Sequence, residues 1–479
     1  MTRLIRPLTV VVGLLIAITG GAFVLIRSTG GGATPAAPAA AGAAARNQDT
    51  ATSAAPAGST TSSGLPAPAA TTTTTAPTTT TLSPRVTLTT TLDAALAGTN
   101  SCLTVQDASG RTLYQHQPDA ALIPASTQKL LVAAAALTTL GPNFRFTTQV
   151  VAPAPAVNGR VAALWLVGDG DPLLGAPEFI ASTAGRVRVA GYPWTPLTSL
   201  ADSLAATGIK LVATGIRGDD SHLDRLRFLP VWPALYQTQE QVGLLSALSV
   251  NEGIQYTPPK STLAQDPPNY AAAELARLLQ LRHVAVGSEP DQTAPAGAVV
   301  VASVSSAPLS EIVGAMLRAS DNWIAELLVR AIDRASGGTG TTAGGTAIVL
   351  RQAAEAGIPL AGVHMDDGSG LSRTDRATCA ELLAALDLGL QPAYAPLLSG
   401  LAVAGQTGTL ATRYRGTAVA GKLHAKTGSL DNAGGMVGVL SVNAISRFAF
   451  LENDTQPEAA LLAREDAVVA ALAAYPGGR

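Results

Sequence analysis

Nineteen positions, 8–26, form an apolar run broken only by Thr9, Thr19 and glycines, with Arg3 and Arg6 ahead of it. That length lets a helix cross a bilayer, and the preceding positive residues keep the N-terminus in the cytoplasm and send the rest across. The run exceeds an ordinary signal-peptide core and no small-residue cleavage site follows it closely, so an uncleaved anchor is favoured over a cleaved signal. From 27 to 86 periodicity gives way to Ala, Pro, Thr, Ser and Gly, a composition that builds no core and reads as a disordered linker. Beyond it, residues 102–106 and 112–116 alternate around a turn at 107–110, which predicts a β-hairpin. Helical patterning follows at 126–140, 197–207, 270–281, 309–319, 323–332 and 346–356, with a strand-like run at 161–167. Strand patterns return at 423–426, 436–443 and 447–451, and a helix closes the chain at 458–474. A hairpin at one end, strands and a helix at the other and helices between predict an α+β fold, with a sheet built from both chain ends and covered by helices.

The chain has 479 residues, room for two domains once the tails are removed. A net charge of −2 provides no basic patch for nucleic acid. The histidines (His116, His222, His283, His364, His424) lack metal-ligand spacing, and there is no GxxxxGK[ST] phosphate loop. No metal or organic cofactor is expected. Cys102 and Cys379 suit an exported protein with one disulfide, or equally two small buried residues.

Lysine is scarce: Lys129, Lys210, Lys260, Lys422 and Lys426 are all there are. Ser126 and Lys129, three apart at the entry to a helical stretch, share one face a turn apart. A serine hydroxyl becomes a nucleophile when a neighbouring base takes its proton, and an amine serves if desolvation lowers its pKa. Ser320-Asp321-Asn322 forms a polar turn between two helical runs that could present a hydroxyl and a carboxamide to a cleft. Lys426-Thr427-Gly428-Ser429 lies on a strand, where lysine and threonine could hold a carboxylate and glycine admits a close backbone. Singly, these read as an N-cap serine, a helix-capping triplet and an edge-strand lysine. Together, SxxK, SxN and KTG in this order form the set shared by penicillin-binding proteins and class A β-lactamases.

With 168–173 (GDGDPL), 219–221 (DDS), 320–326 (SDNWIAE), 367–373 (DGSGLSR), 408–410 with Arg413, and 426–430 (KTGSL), the chain from about Leu88 onward resembles the low-molecular-mass class C penicillin-binding proteins. These are the D-alanyl-D-alanine carboxypeptidases/endopeptidases of peptidase family S13. The resemblance implies a β-lactamase/transpeptidase-like catalytic domain at 87–145 and 260–479, with a second domain inserted at 146–259. The 194 positions from Ser126 to Ser320 leave space for that insertion, which a class A β-lactamase lacks. It also implies that Ser126 attacks the penultimate D-Ala carbonyl, Lys129 takes its proton, and Ser320 relays a proton to the leaving D-Ala with help from Lys426. Asn322 would bind the peptide chain, and Lys426 with Thr427 the terminal carboxylate. The Ser126 and Ser429 N–H groups would stabilise the oxyanion beside Gly428, and Asp219 and Arg373 would meet the charged end of a diaminopimelate side chain. The expected partners are peptidoglycan stem peptides, β-lactam antibiotics and, through 8–26, the cytoplasmic membrane, with the enzyme working outside it. A β-lactamase or esterase on the same scaffold, and a catalytically weak cell-wall-binding protein, are the rival readings. The absence of an ExxLN segment argues against the β-lactamase.

Overall fold

The computed structural model describes residues 83–288, 294–454 and 456–477. The membrane-crossing run expected at 8–26 and most of the linker lie outside the described residues; among those described, no helix is long and apolar enough to cross a membrane.

The linker expected to reach residue 86 ends sooner, because Pro84–Leu96 is already helical. Ser83 caps it by accepting from Val86 N, and Pro84 takes the first turn, where a missing N–H costs nothing. Leu88, Leu92 and Leu96 recur every four residues and are all buried, so one stripe docks the helix. Its threonines, poor helix formers, hide that stripe from a reading based on propensity.

Both chain ends build the main sheet. Six antiparallel strands run in the order Ala402–Val403, Leu423–Leu430, Ala433–Ser441, Ile445–Asn453, Ser101–Asp107, Thr112–His116. Successive side chains of a strand face opposite ways, and Ile445–Asn453 shows the result. Phe448 and Phe450 pack in one core with Leu88, Leu92 and Val468 of the terminal helices, whereas Ala449 and Leu451 face the other core. That second core gathers the helices Lys129–Thr139, Leu309–Ala319, Asn322–Ala335 and Cys379–Leu388. The sheet is thus sandwiched between helical layers, the expected α+β architecture. Cys102 and Cys379 form a disulfide that ties a sheet strand to the start of Cys379–Leu388.

A smaller, four-stranded sheet lies in the order Val299–Ser305, Thr147–Ala152, Leu164–Val167, Ile216–Asp219. Its core joins Val150, Leu164 and Leu166 to Leu200 and Leu204 of Leu197–Ala206 and to Leu275 and Leu278 of Pro267–Gln280. The segment expected as an insertion, 146–259, supplies three of these strands. The fourth strand and Pro267–Gln280 come after Pro259, so the stretch sharing this core runs on to Ser305.

Candidate active site

Ser126 sits in a single 3₁₀ turn, Ala125–Gln128, and the α-helix begins only at Lys129. The turn is packed from two sides. Across it lies Leu423–Leu430, where a Cβ on Gly428 would come within 2.7 Å of Pro124 O, so only glycine lets the strand approach. Beneath it lies the 367–373 loop, where Gly370 has φ +77° and a Cβ would strike Ala125 O.

Lys129 is fully buried, and its Nζ donates to Ser126 Oγ at 2.7 Å, Asn322 Oδ1 at 2.8 Å and Ser369 O at 2.5 Å. Burial lowers its pKa to about 7, against the opposing pull of Asp367 and Asp321. An amine in that state can take a proton from the hydroxyl it touches.

The 367–373 loop is held by buried acids. Asp367 Oδ1 accepts from Gly370 N and Oδ2 from Ser372 N and Trp232 Nε1, each at 2.7 Å. Gln128, next to Lys129, donates to Asp367 O at 2.8 Å and Asp375 Oδ2 at 3.0 Å. Burial, then the Asp367 charge, pushes Asp375 up to about 10. Glu326 Oε1 accepts from Gly368 N at 3.0 Å and Ser369 N at 2.7 Å. This fixes the carbonyl on which Lys129 leans.

The second motif closes the cleft from above. Ser320 ends Leu309–Ala319 in the left-handed region (φ 60°), and Asp321 caps Asn322–Ala335 by accepting from Ile324 N at 2.9 Å. The left-handed turn swings Ser320 Oγ toward the third motif, where it accepts from Lys426 Nζ at 2.8 Å. Lys426 is also fully buried and donates to Thr427 O at 2.6 Å. Burial drives its pKa well below the ordinary lysine value, and the charges of Lys129 and Arg188 push the same way. Thr427 Oγ1 donates to Thr409 Oγ1 at 2.8 Å, and Ser429 Oγ lies 3.4 Å from Glu458 Oε1.

Ser126, Ser320, Asn322, Thr427, Gly428 and Ser429 all line one cleft of about 560 Å³, with Lys129 and Lys426 in its walls. Asp219 and Arg373 are not on that lining. The Asp219 carboxylate accepts from Ser221 N at 2.9 Å and Ala294 N at 3.3 Å, and Arg373 Nη1 donates to Asp431 O at 2.8 Å. Glu326, Ser369 and Thr409 lie in stretches that carried the resemblance but had no role assigned from the sequence, and Gln241, whose O accepts from Asn322 Nδ2 at 2.9 Å, was not named at all. Two of these are backbone acceptors, which no side-chain pattern reveals.

Comparisons with known proteins bear on the family and the fold. The sequence profile of the D-Ala-D-Ala carboxypeptidase 3 (S13) family matches residues 87–258 and 254–475. A carboxypeptidase from Mycobacterium tuberculosis is 35% identical over 361 residues, 73% of this chain and 75% of that protein. A D-alanyl-D-alanine carboxypeptidase from Actinomadura is 29% identical, covering 80% and 83% respectively. The solved structure of penicillin binding protein 4 from Haemophilus influenzae has a TM-score of 0.66 at 20% identity, over 80% of this chain and 99% of that one; this likeness speaks for the fold.

Proposed function

The chain belongs to the D-Ala-D-Ala carboxypeptidase 3 (S13) family, and on that premise we propose that it is a serine-type D-alanyl-D-alanine carboxypeptidase trimming peptidoglycan stem peptides outside the cytoplasmic membrane. The observation that carries the reading is the buried Lys129 amine, 2.7 Å from Ser126 Oγ and brought by burial to a pKa of about 7.

Ser126 Oγ attacks the penultimate D-Ala carbonyl as its proton passes to Lys129. The tetrahedral oxyanion lies between the N–H groups of Ser126 and Ser429. Its collapse breaks the peptide bond, and the departing D-Ala nitrogen takes a proton through Ser320, whose hydroxyl Lys426 holds. Lys426 and Thr427 bind the terminal carboxylate, Asn322 binds the peptide chain, and Gly428 keeps the strand flat against the serine turn. Water then releases the acyl group. The same steps cleave a D-Ala cross-link, and a β-lactam acylates Ser126 in place of the peptide. Arg373 and Asp219 are read as meeting the charged end of diaminopimelate, 8–26 as the membrane anchor, and 146–259 as an insertion into the catalytic domain.

The test uses a fluorescent penicillin on the full chain. A stable covalent label is expected on the wild type and none on Ser126→Ala. An unlabelled wild type refutes the proposal, and rapid penicillin turnover without accumulating label favours a β-lactamase. D-Ala release from a stem peptide, assayed beside cleavage of a cross-linked dimer, separates the two peptidase activities.

A further inference from the structure

Ser320 has φ 60°, a backbone state that a serine keeps only when its surroundings impose it. The groups that surround it come from outside its own helices. Arg188 Nε donates to Ala319 O at 2.7 Å, Tyr192 Oη to Asp321 Oδ2 at 2.8 Å, and Trp323 Nε1 to Pro172 O at 3.0 Å. Gln241 O accepts from Asn322 Nδ2 at 2.9 Å.

Four points on the 172–241 segment, Pro172, Arg188, Tyr192 and Gln241, therefore grip four of the five consecutive residues 319–323. We propose that this segment is a working part of the catalytic centre, holding Ser320 and Asn322 in register with Ser126 and Lys129, with Tyr192 as a positioning residue acting through Asp321. This rests on the reading given under Proposed function.

Asp321 also caps its own helix through Oδ1, a bond that Tyr192→Phe leaves intact. The phenyl ring keeps its packing on Trp194, with ring centroids 5.5 Å apart. The experiment resolves penicillin labelling into the dissociation constant of the initial complex and the acylation rate constant. In Tyr192→Phe the rate constant should fall about tenfold with the dissociation constant unchanged, in a protein that melts lower but is still fully folded at the assay temperature. Acylation of Tyr192→Phe at the wild-type rate overturns the proposal. So does a rate that returns to the wild-type value when both proteins are assayed equally far below their melting temperatures. If the wild type takes no label, the functional reading itself has failed and this inference falls with it.

Discussion

Two lysines lie fully buried in the walls of one cleft, one below the serine turn and one on the strand rim, and their charged neighbours differ in sign. Around Lys129 the carboxylates of Asp367 and Asp321 pull against burial and leave its pKa at about 7. Around Lys426 the neighbours are Lys129 and Arg188, which add to burial in holding its pKa well below the ordinary lysine value. Equal burial thus yields two different tools. The floor lysine is poised to exchange a proton near neutral pH. At the rim lysine burial and both neighbours work against the charge, so an arriving anion such as the terminal carboxylate of a substrate offsets them and favours it.

The harshest test of that contrast is Lys129→Arg. A guanidinium keeps positive charge on the floor but cannot give up its proton, so acylation by penicillin should drop by about three orders of magnitude, within the usual range for a lost general base. If charge alone sufficed there, the variant would label at near the wild-type rate. In the wild type only the unprotonated amine can accept the serine proton. Acylation should therefore rise with pH and level off above about 7, whereas a rate that fell through that range would reverse the assignment.

The rim is tested by substrate rather than by rate alone. Lys426→Gln keeps a donor for Ser320 Oγ but cannot become charged. Preference for a peptide ending in a free carboxylate over its amide, read as a ratio of kcat/KM values, should shrink by about ten- to a hundredfold, the worth of a charge-assisted hydrogen bond. An unchanged ratio would place carboxylate binding elsewhere.

How much of this the sequence revealed depended on the kind of atom involved. Ser126, Lys129, Ser320, Asn322, Lys426 and Thr427 were legible because the chemistry requires those side chains at short, fixed spacings. The strands Ala433–Ser441 and Ile445–Asn453 and the helix Glu458–Ala474 were legible from periodicity. The supports were not. Ser369 O and Gln241 O act through the backbone, and the left-handed turn at Ser320 has no glycine to announce it. The helix Cys379–Leu388 did carry a local signal, since Thr378 and Glu381 form a capping box. The extent of the smaller sheet was hidden because Thr147–Ala152 pairs with Val299–Ser305, far along the chain.

The smallest expected effect asks whether charge or shape holds the floor. Glu326 is fully buried, and burial, then the Asp367 charge, raises its pKa to about 8, so at neutral pH it is mostly the uncharged acid. Glutamine then preserves what matters, a carbonyl oxygen accepting from Gly368 N and Ser369 N. Glu326→Gln should acylate within about threefold of the wild type, a change far below that of a lost base. Glu326→Ala leaves two buried N–H groups unpaired, at about 1–3 kcal/mol each. It should melt lower and acylate about tenfold more slowly, as Ser369 O loses its fixed position under Lys129. The pH dependence of stability separates the cases further. A carboxyl whose pKa rises from 4.5 to about 8 on folding holds more protons in the folded state across that window. Its stabilising contribution is complete below about pH 4.5 and is lost as pH climbs through 8. Glutamine does not titrate, so Glu326→Gln should flatten that decline in melting experiments between pH 5 and 8. A Glu326→Gln variant as slow as Glu326→Ala would mean that an ionised Glu326 holds Lys129 by charge, and the floor would then work by an ion pair rather than by a fixed carbonyl.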